Sequence, residues 1–210
     1  AALPDSDVQY VAQEPRDITW VQELKTHNHD ARGLKRDAYG HFGIKHGVST
    51  QDGKTLTETY YPRRKGSDTI GYKVRIHDPK KFYTLGTVRA AEPFGWKEAL
   101  EQGGYSLYIT EGEEDAVALF SAWFRDRKQK VAVISLSQGA DSVIKTLQPV
   151  LKDITDKWKQ VVFCPDYDDI AGDIATKAII ALFPEGYAVK VAKYSEKDAN
   201  DMIKAGKEKE

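Results

Sequence analysis

The sequence of 210 residues predicts an α/β fold, in which a parallel sheet flanked by helices follows a smaller α+β subdomain. After residue 105, short apolar strands alternate with amphipathic helices four times, which is typical of a parallel sheet with right-handed crossovers. Before residue 105, short β-prone runs are separated by turn signals, as in antiparallel hairpins. We therefore predict an extended lead-in over residues 1–15, an N-terminal subdomain over 16–104 and a second domain over 105–210.

The C-terminal half supplies the strands of the parallel sheet. The predicted strands are Ser106–Thr110, Val131–Leu136, Val161–Cys164 and Ala188–Tyr194. Apolar residues at helical spacing predict a helix after each strand. These helices contain Ala116 to Phe124, Val143 to Ile154, Gly172 to Leu182 and Ala199 to Lys204. Pro149 is expected to kink or break the second of them.

The N-terminal half predicts one main helix and a set of hairpins. The helix runs from Asp30 to Gly43, and a short helix near Trp96 joins the two halves. The predicted strands are Gly47–Gly53, Thr57–Tyr61, Gly71–Ile76 and Lys81–Leu85. Pro62 is expected to end the second strand, because proline cannot donate to a sheet ladder.

Composition and charge place the chain among ordinary globular proteins. Apolar residues make up 40% and charged residues 30%, and no apolar run approaches the ~20 residues that cross a bilayer. Cys164 is the single cysteine, which excludes an internal disulfide and a four-cysteine zinc site. No signal peptide is recognised, so a reducing, cytoplasmic location is expected.

The net charge of −1 conceals an uneven distribution. Residues 31–100 hold 14 Lys and Arg against 7 Asp and Glu, whereas residues 101–210 hold 15 against 19. A basic middle segment before an acidic C-terminal half fits a surface that contacts phosphates beside a pocket that collects divalent cations.

Acidic side chains follow three of the predicted parallel strands. Glu111 follows the first strand, Asp166 and Asp168 follow the third, and Asp198 follows the fourth. Because the carboxyl ends of parallel strands meet at one edge of the sheet, these carboxylates are expected to converge there. Their mutual repulsion would be relieved by Mg²⁺, a hard cation that a few carboxylates can hold.

Two other interpretations of these acids are open. Acidic residues near strand ends also serve as helix caps, a role that would suffice for Asp115, Asp141 and Asp173. An apolar strand followed by Asp-x-Asp also fits a phosphatase with an aspartate nucleophile. That class favours Thr or Val two residues after the second Asp, where this sequence has Ile170, and it has no role for Glu111.

The acidic segments resemble the Toprim motifs in the order and spacing of their residues. Residues 108–115, Tyr-Ile-Thr-Glu-Gly-Glu-Glu-Asp, resemble the first motif, and residues 166–172, Asp-Tyr-Asp-Asp-Ile-Ala-Gly, resemble the second. Residues 197–201, Lys-Asp-Ala-Asn-Asp, resemble the third acidic stretch of bacteriophage primase–helicases. Upstream, Arg32-Gly33-Leu34 and the basic segment from Tyr72 to Gly86 are similar to the N-terminal subdomain of Toprim DNA primases.

The resemblance implies a DNA primase core with a Toprim catalytic domain, which makes short RNA primers from ribonucleoside triphosphates on single-stranded DNA. It implies that Glu111 is the general base or an additional metal-linked carboxylate. Metal ligands would be Asp166, Asp168 and Asp198 for two Mg²⁺ or Mn²⁺ ions, with Asp169 as the alternative to Asp168 because of an extra residue before Ala171-Gly172. Supporting residues are Gly112, Asp115 and Asn200.

The basic segment distinguishes a primase from other Toprim proteins. Lys73, Arg75, Lys80 and Lys81 are expected to contact the triphosphate and the template backbone. Phe82 and Tyr83 could stack on bases, although core packing is the expectation for Phe82. His27 and His29 are expected at the surface, and His77 has no assigned role.

Partners follow from the same resemblance. Primases of this type carry a zinc ribbon and often a helicase, and neither a zinc-ribbon pattern nor a Gly-Lys-Ser/Thr phosphate loop occurs in these residues. A replicative helicase in the same chain or as a partner is therefore expected. Alternatives are a degenerate Toprim module that binds single-stranded DNA, and a Toprim nuclease; a topoisomerase would need a further tyrosine domain.

Overall fold

The computed structural model describes residues 17–127, 129–136, 142–167 and 170–207. It contains an antiparallel sheet in the N-terminal half and a parallel sheet in the C-terminal half, so the predicted fold class is confirmed. Both sheets have four strands.

The antiparallel sheet has the strand order β1-β2-β3-β4. Its strands are β1 (Lys45–Val48), β2 (Leu56–Lys65), β3 (Asp68–Ile76) and β4 (Lys81–Gly86). Two short helices, α1 (Thr19–Glu23) and α2 (Arg36–His41), precede it, with a 3₁₀ turn at Asp30–Arg32 between them. One face of this sheet covers a small core that contains Val21, Tyr60, Tyr72, Val74 and Leu85.

The parallel sheet has the strand order β6-β5-β7-β8, with β5 and β7 in the middle. Its strands are β5 (Ser106–Thr110), β6 (Ala132–Ser135), β7 (Gln160–Cys164) and β8 (Ala188–Val191). The helices are α3 (Trp96–Gln102), α4 (Glu113–Arg127), α5 (Val143–Leu147), α6 (Leu151–Lys157), α7 (Ile170–Leu182) and α8 (Ala199–Lys204). A 3₁₀ turn at Gln148–Val150 separates α5 from α6, which confirms the break predicted at Pro149.

A shared hydrophobic core joins the two halves. Its N-terminal members include Leu34, Tyr39 and Phe42, and its C-terminal members include Val117 and Phe120 on α4. The two sheets are separate, but each part therefore depends on the other for burial of apolar surface. The domain division at residues 104 and 105 stays a prediction.

Three N-terminal elements differ from the sequence prediction. The strand predicted at Gly47–Gly53 is instead β1 at Lys45–Val48, because the chain turns between Ser49 and Thr55, where the Ser49 N–H donates a hydrogen bond to the Thr55 carbonyl. The helix expected from Asp30 to Gly43 is divided, because Gly33 has a positive φ of 67° and ends the 3₁₀ turn before α2 begins. Strand β2 does not end at Pro62 but continues to Lys65. Strand β1 begins at Lys45, opposite Tyr60, and does not reach Pro62, so Pro62 has its sheet partner on the β3 side, a position that proline can occupy.

No helix in the described part of the chain is long and apolar enough to cross a membrane.

Buried histidines make the stability of the fold sensitive to acid. Burial is the main cause that lowers the pKa of His41 to about 4, of His46 to about 3 and of His77 to about 4. Above about pH 6.5 the folded and unfolded chains bind the same number of protons at these sites, so stability is unaffected. As the pH falls from 6.5 towards 4, the unfolded chain takes up protons that the folded chain does not, and stability falls.

We predict that His41→Phe reduces this acid sensitivity. His41 stacks on Phe120 with ring centroids 3.9 Å apart, so phenylalanine keeps the ring contact and removes the proton site. The free energy of unfolding, from urea denaturation at pH 7.5 and pH 5, should fall less in the variant than in the wild type. The difference should be on the order of 1 kcal/mol after allowance for solvent screening. An equal fall in both proteins would contradict the prediction.

Candidate metal centre

A five-residue segment that runs from the end of β5 into the first turn of α4, Glu111–Asp115, carries four carboxylates; we call it the acidic turn. It follows the carboxyl end of β5, where the Thr110 hydroxyl donates a hydrogen bond of 2.9 Å to the Gly112 carbonyl. The helix begins at once, with the Ala116 N–H donating to the same carbonyl. Acidic residues suit this position, because the first turn of a helix presents unpaired N–H groups and a positive dipole end.

Three carboxylates from different elements meet beside this turn. Asp115, Asp166 and Asp198 each offer one oxygen that lies within 4.8 Å of the others. Asp115 belongs to α4, Asp166 follows β7, and Asp198 precedes α8. Parallel strands that end at one edge of a sheet bring Asp166 towards the start of α4.

Hydrogen bonds fix the segments that carry Asp198 and Asp166. The Asp198 carboxylate caps α8 by accepting a bond of 2.7 Å from the Asp201 N–H. The Asp166 N–H donates a bond of 3.1 Å to Glu111 Oε1. Gly172 permits this arrangement, because a side chain there would place its Cβ 2.4 Å from the Asp166 carbonyl oxygen.

The electrostatics of the cluster fit a divalent cation. Burial, followed by the charges of Asp198 and Asp166, raises the pKa of Asp115 well above its usual value. A cation at the cluster would remove this repulsion, and three carboxylate oxygens are donors that Mg²⁺ and Mn²⁺ accept. Asp115, Asp166 and Asp198 would therefore hold such an ion.

Several of the residues predicted from the sequence come together here. Asp166 and Asp198 share the cluster, and Glu111 is one hydrogen bond from Asp166. Asp115, expected in a supporting role, lies within the cluster itself; its place one helical turn after Glu111 was the signal that could have indicated this. Asp168 and Asp169 lie outside the described residues. The chemical roles of all these residues stay predictions.

Glu113, on the acidic turn, contacts the antiparallel sheet. Its carboxylate accepts hydrogen bonds from Arg63 on β2 and from Lys73 on β3, the latter at 2.9 Å. Burial raises the pKa of Glu113, but the charges of Arg63 and Lys73 outweigh it and leave that pKa below its ordinary value. Lys73, predicted to bind nucleotide, is thus also an ion-pair partner of the acidic turn.

Glu114, which the sequence analysis did not single out, lies buried between two tyrosines. It accepts hydrogen bonds from the Tyr39 hydroxyl at 2.8 Å and from the Tyr61 hydroxyl, and Arg32 Nε lies 3.9 Å away. Burial and the Glu114 charge raise the pKa of both tyrosines. The partners come from the turn before α2, from α2 and from β2, so no local sequence pattern could have indicated this site.

Arg32 also connects this site to α8. Its Nη1 donates a hydrogen bond of 2.8 Å to Asn200 Oδ1, and Asn200 Nδ2 donates one of 3.0 Å to the Arg32 carbonyl. The Asn200 N–H points at Asp115 Oδ1 at 3.4 Å. Asn200, predicted as a supporting residue, therefore links the N-terminal half to two members of the acidic cluster, Asp115 and its own neighbour Asp198.

The predicted basic segment lies on the antiparallel sheet. Lys73 and Arg75 on β3 occupy alternate positions and therefore share one face, while Lys80 and Lys81 are exposed near the β3–β4 turn. The expectation that Phe82 packs in the core is wrong, because the side chain is 49% exposed on β4.

The expectation that His27 and His29 are surface residues is also wrong. Both are half-buried, with His27 against His46 and His29 against His77. His46 and His77 are distant in the sequence from His27 and His29, so these contacts depend on the sheet that brings β1 and the end of β3 to the segment before α2.

Comparison with known proteins identifies the fold of this site. Residues 108–203 match the family model described as Toprim-like. The primase fragment of the bacteriophage T7 primase–helicase is 26% identical, with a TM-score of 0.71 over 87% of this chain and 71% of that one. No curated protein matches the chain significantly.

Two further structures agree. The primase domains of two gp4 subunits, solved with bacteriophage T7 lagging-strand DNA polymerase, an RNA/DNA hybrid and dTTP, are 28% identical. Their TM-score is 0.73 over 89% of this chain and 88% of that one. A DnaG primase catalytic domain bound to single-stranded DNA is 16% identical, with a TM-score of 0.57 over 84% and 67% of the two chains, and shows the fold alone.

The chain therefore resembles Toprim primases, and in particular the primase region of a bacteriophage primase–helicase, as its motifs predict. This similarity supports a primase-type function in the nucleotidyltransferase class.

We predict that Asn200→Ala destabilises the chain and weakens binding of divalent cations. The substitution removes two side-chain hydrogen bonds at a residue that is 2% exposed, and it removes the Asn200 partners of the half-buried Arg32. The expected loss is about 1–3 kcal/mol in the free energy of unfolding. Asn200 attaches α8 to the N-terminal half, and Asp198 is the N-cap of α8. Calorimetric titration of the variant with Mn²⁺ should therefore show a weaker affinity.

Asn28→Ala is the matched control, since Asn28 is exposed and accepts one hydrogen bond, from the Arg36 N–H. Equal Mn²⁺ affinity in the wild type and in Asn200→Ala would refute a role of Asn200 in holding the cluster.

Proposed function

We propose that this chain is a primase core that synthesises short RNA primers from ribonucleoside triphosphates on a single-stranded DNA template. The observation that carries the proposal is the cluster of Asp115, Asp166 and Asp198 beside an antiparallel sheet that bears Lys73 and Arg75. The similarity to the T7 primase fragment supports the same proposal. In this proposal residues 16–104 contact the substrates and residues 105–210 carry the catalytic centre.

The reaction joins two nucleotides by in-line displacement. The 3′-hydroxyl oxygen of the primer attacks the α-phosphorus of the incoming nucleotide, the bond to the β-phosphate breaks and pyrophosphate leaves. A bound Mg²⁺ or Mn²⁺, or a pair of them, supplies electrostatic stabilisation of the charge that develops on the phosphates. Asp115, Asp166 and Asp198 hold the cation site, with Asp168 or Asp169 as a further ligand.

Glu111 accepts the proton of the attacking hydroxyl in this scheme. It is the first residue after the central strand β5, and its hydrogen bond to the Asp166 N–H orients its carboxylate towards the cluster. A positioned carboxylate of this kind contributes about 10²–10⁴-fold as a general base.

The basic segment contacts the polyanionic substrates. Arg75, Lys80 and Lys81 attract the template backbone and the triphosphate, whereas the charge of Lys73 is partly compensated by its ion pair with Glu113. Affinity for single-stranded DNA should therefore fall steeply with salt concentration. A replicative helicase, in the same chain or as a partner, and a separate zinc-ribbon module would place the core on its template, so this chain should show weak sequence preference by itself.

Substitutions in the cluster test this proposal. Asp166→Asn and Glu111→Gln should each lower primer synthesis from ribonucleotides on single-stranded DNA by about 10²-fold or more, in the presence of Mg²⁺ or Mn²⁺. Asp153→Asn, which alters an exposed acid in the first turn of α6, is the control and should retain activity.

The wild-type result separates the remaining alternatives. Binding of single-stranded DNA without synthesis under all metal conditions would refute the primase proposal in favour of a non-catalytic Toprim module. Cleavage of the DNA that depends on Asp166, without synthesis, would instead indicate a nuclease.

A further inference from the structure

An aromatic side chain is exposed at the edge of the antiparallel sheet. Phe82 lies on β4, the edge strand, with 49% of its surface accessible. Exposure of this much aromatic surface carries a solvation cost that a binding partner would remove. The exposed ring of Phe82 is therefore suited to contact a ligand that offers a flat apolar surface.

Three cationic groups surround this ring. Lys73 Nζ lies 5.1 Å, Lys80 Nζ 5.8 Å and the Arg75 guanidinium carbon 5.9 Å from the ring centroid. Each is within the range of a cation–π contact. An aromatic ring among cations complements a molecule that combines a flat base with phosphates, because the ring stacks on the base and the cations attract the phosphates.

A groove beside Phe82 has room for such a base. Its volume is about 340 Å³, and its lining residues are Arg63, Lys73, Phe82, Tyr83, Thr84, Val88 and Ala91. This volume lies in the range of small-ligand sites. Val88 and Ala91 make part of the wall apolar, while Arg63 and Lys73 supply positive charge.

The register of the sheet places Phe82 on the same face as the acidic turn. Arg75 lies opposite Phe82 on β4, and Lys73 lies opposite Tyr61 on β2. Residues directly opposite each other share a face, as do alternate residues of one strand. Lys73 joins the two regions, since its Nζ lies 2.9 Å from Glu113 and 5.1 Å from the Phe82 ring.

We propose that Phe82 is a stacking platform for an unpaired nucleobase, whose attached phosphates lie against Arg75 and Lys80. This inference rests on the proposed function, because it assigns a base-binding position to the same substrates. The base could belong to the single-stranded template or to the nucleoside triphosphate, and both present the same chemistry to the ring.

Binding measurements without divalent cation test whether the stacked base belongs to the single-stranded template. Fluorescence anisotropy with a labelled oligothymidylate of about 12 nucleotides should show that Phe82→Ala weakens binding roughly 5- to 100-fold. Phe82→Trp should retain or strengthen binding. The slope of affinity against salt concentration should be unchanged in Phe82→Ala, because no charge is lost, whereas Lys80→Ala should reduce that slope.

An abasic oligonucleotide of the same length isolates the stacking contact. It keeps the phosphates and lacks the bases, so the wild type and Phe82→Ala should bind it equally. Phe124→Ala is the matched control, because Phe124 on α4 is also an exposed phenylalanine, with 38% of its surface accessible.

The primer assay tests whether the stacked base belongs to the incoming nucleoside triphosphate. A rise of the KM for ribonucleoside triphosphates in Phe82→Ala, with unchanged oligonucleotide affinity, would assign the stacked base to the incoming nucleotide. If Phe82→Ala changes neither the oligonucleotide affinity nor this KM, the stacking proposal is overturned.

Failure of this inference is distinguishable from failure of the proposed function. Suppose the wild type makes primers and Phe82→Ala has the same oligonucleotide affinity and the same KM for ribonucleoside triphosphates. This result would overturn the stacking platform and leave the primase proposal standing. A wild type that makes no primers would overturn the primase proposal, and a loss of oligonucleotide affinity in Phe82→Ala would then still support base stacking.

Discussion

The acidic turn, Glu111–Asp115, is the constraint on which the rest of the structure depends. Buried carboxylates are costly unless each finds a partner, and in this turn Glu111, Glu113 and Glu114 are buried and Asp115 is half-buried. Glu111 accepts a bond from the Asp166 N–H, Glu113 pairs with Arg63 and Lys73, and Glu114 lies between two tyrosine hydroxyls. The antiparallel sheet thus supplies groups that the C-terminal half needs in order to fold around its own central strand.

Asp115 differs from the other acids of the turn in what surrounds it. The groups that act on its carboxylate include the charges of Asp198 and Asp166 and the N–H of Asn200. Glu113, by contrast, faces two cations from the sheet. Charge compensation by the protein at Glu113, beside a cluster of like charges at Asp115, is the arrangement expected where a divalent cation completes a site.

The sequence predicted three strands of the parallel half well, because β5, β6 and β7 bury most of their side chains, appear as apolar runs and begin and end within one residue of their predicted bounds. The exposed edge strand β8 ends at Val191, three residues before the predicted Tyr194. The larger errors lie in the N-terminal half. Pro62 could be placed within β2 only once the shorter β1 was known to begin opposite Tyr60, which leaves Pro62 without a neighbour on that side. Phe82 resembled a core residue by its chemistry, and its exposure follows from the position of β4 at the edge of the sheet.

The sequence by itself determined that Asp166 and Asp198 would lie near Glu111, because carboxyl ends of parallel strands share one edge and the order of strands and helices follows from periodicity. Only the tertiary structure decided which carboxylates of the acidic turn join them. Residues 111–115 are adjacent in the chain, yet the side chains diverge around the first turn of α4. Asp115 points to the carboxylates of Asp166 and Asp198, while Glu113 and Glu114 point to the N-terminal half. That choice depends on the packing of α4 between the two sheets, which no local pattern encodes.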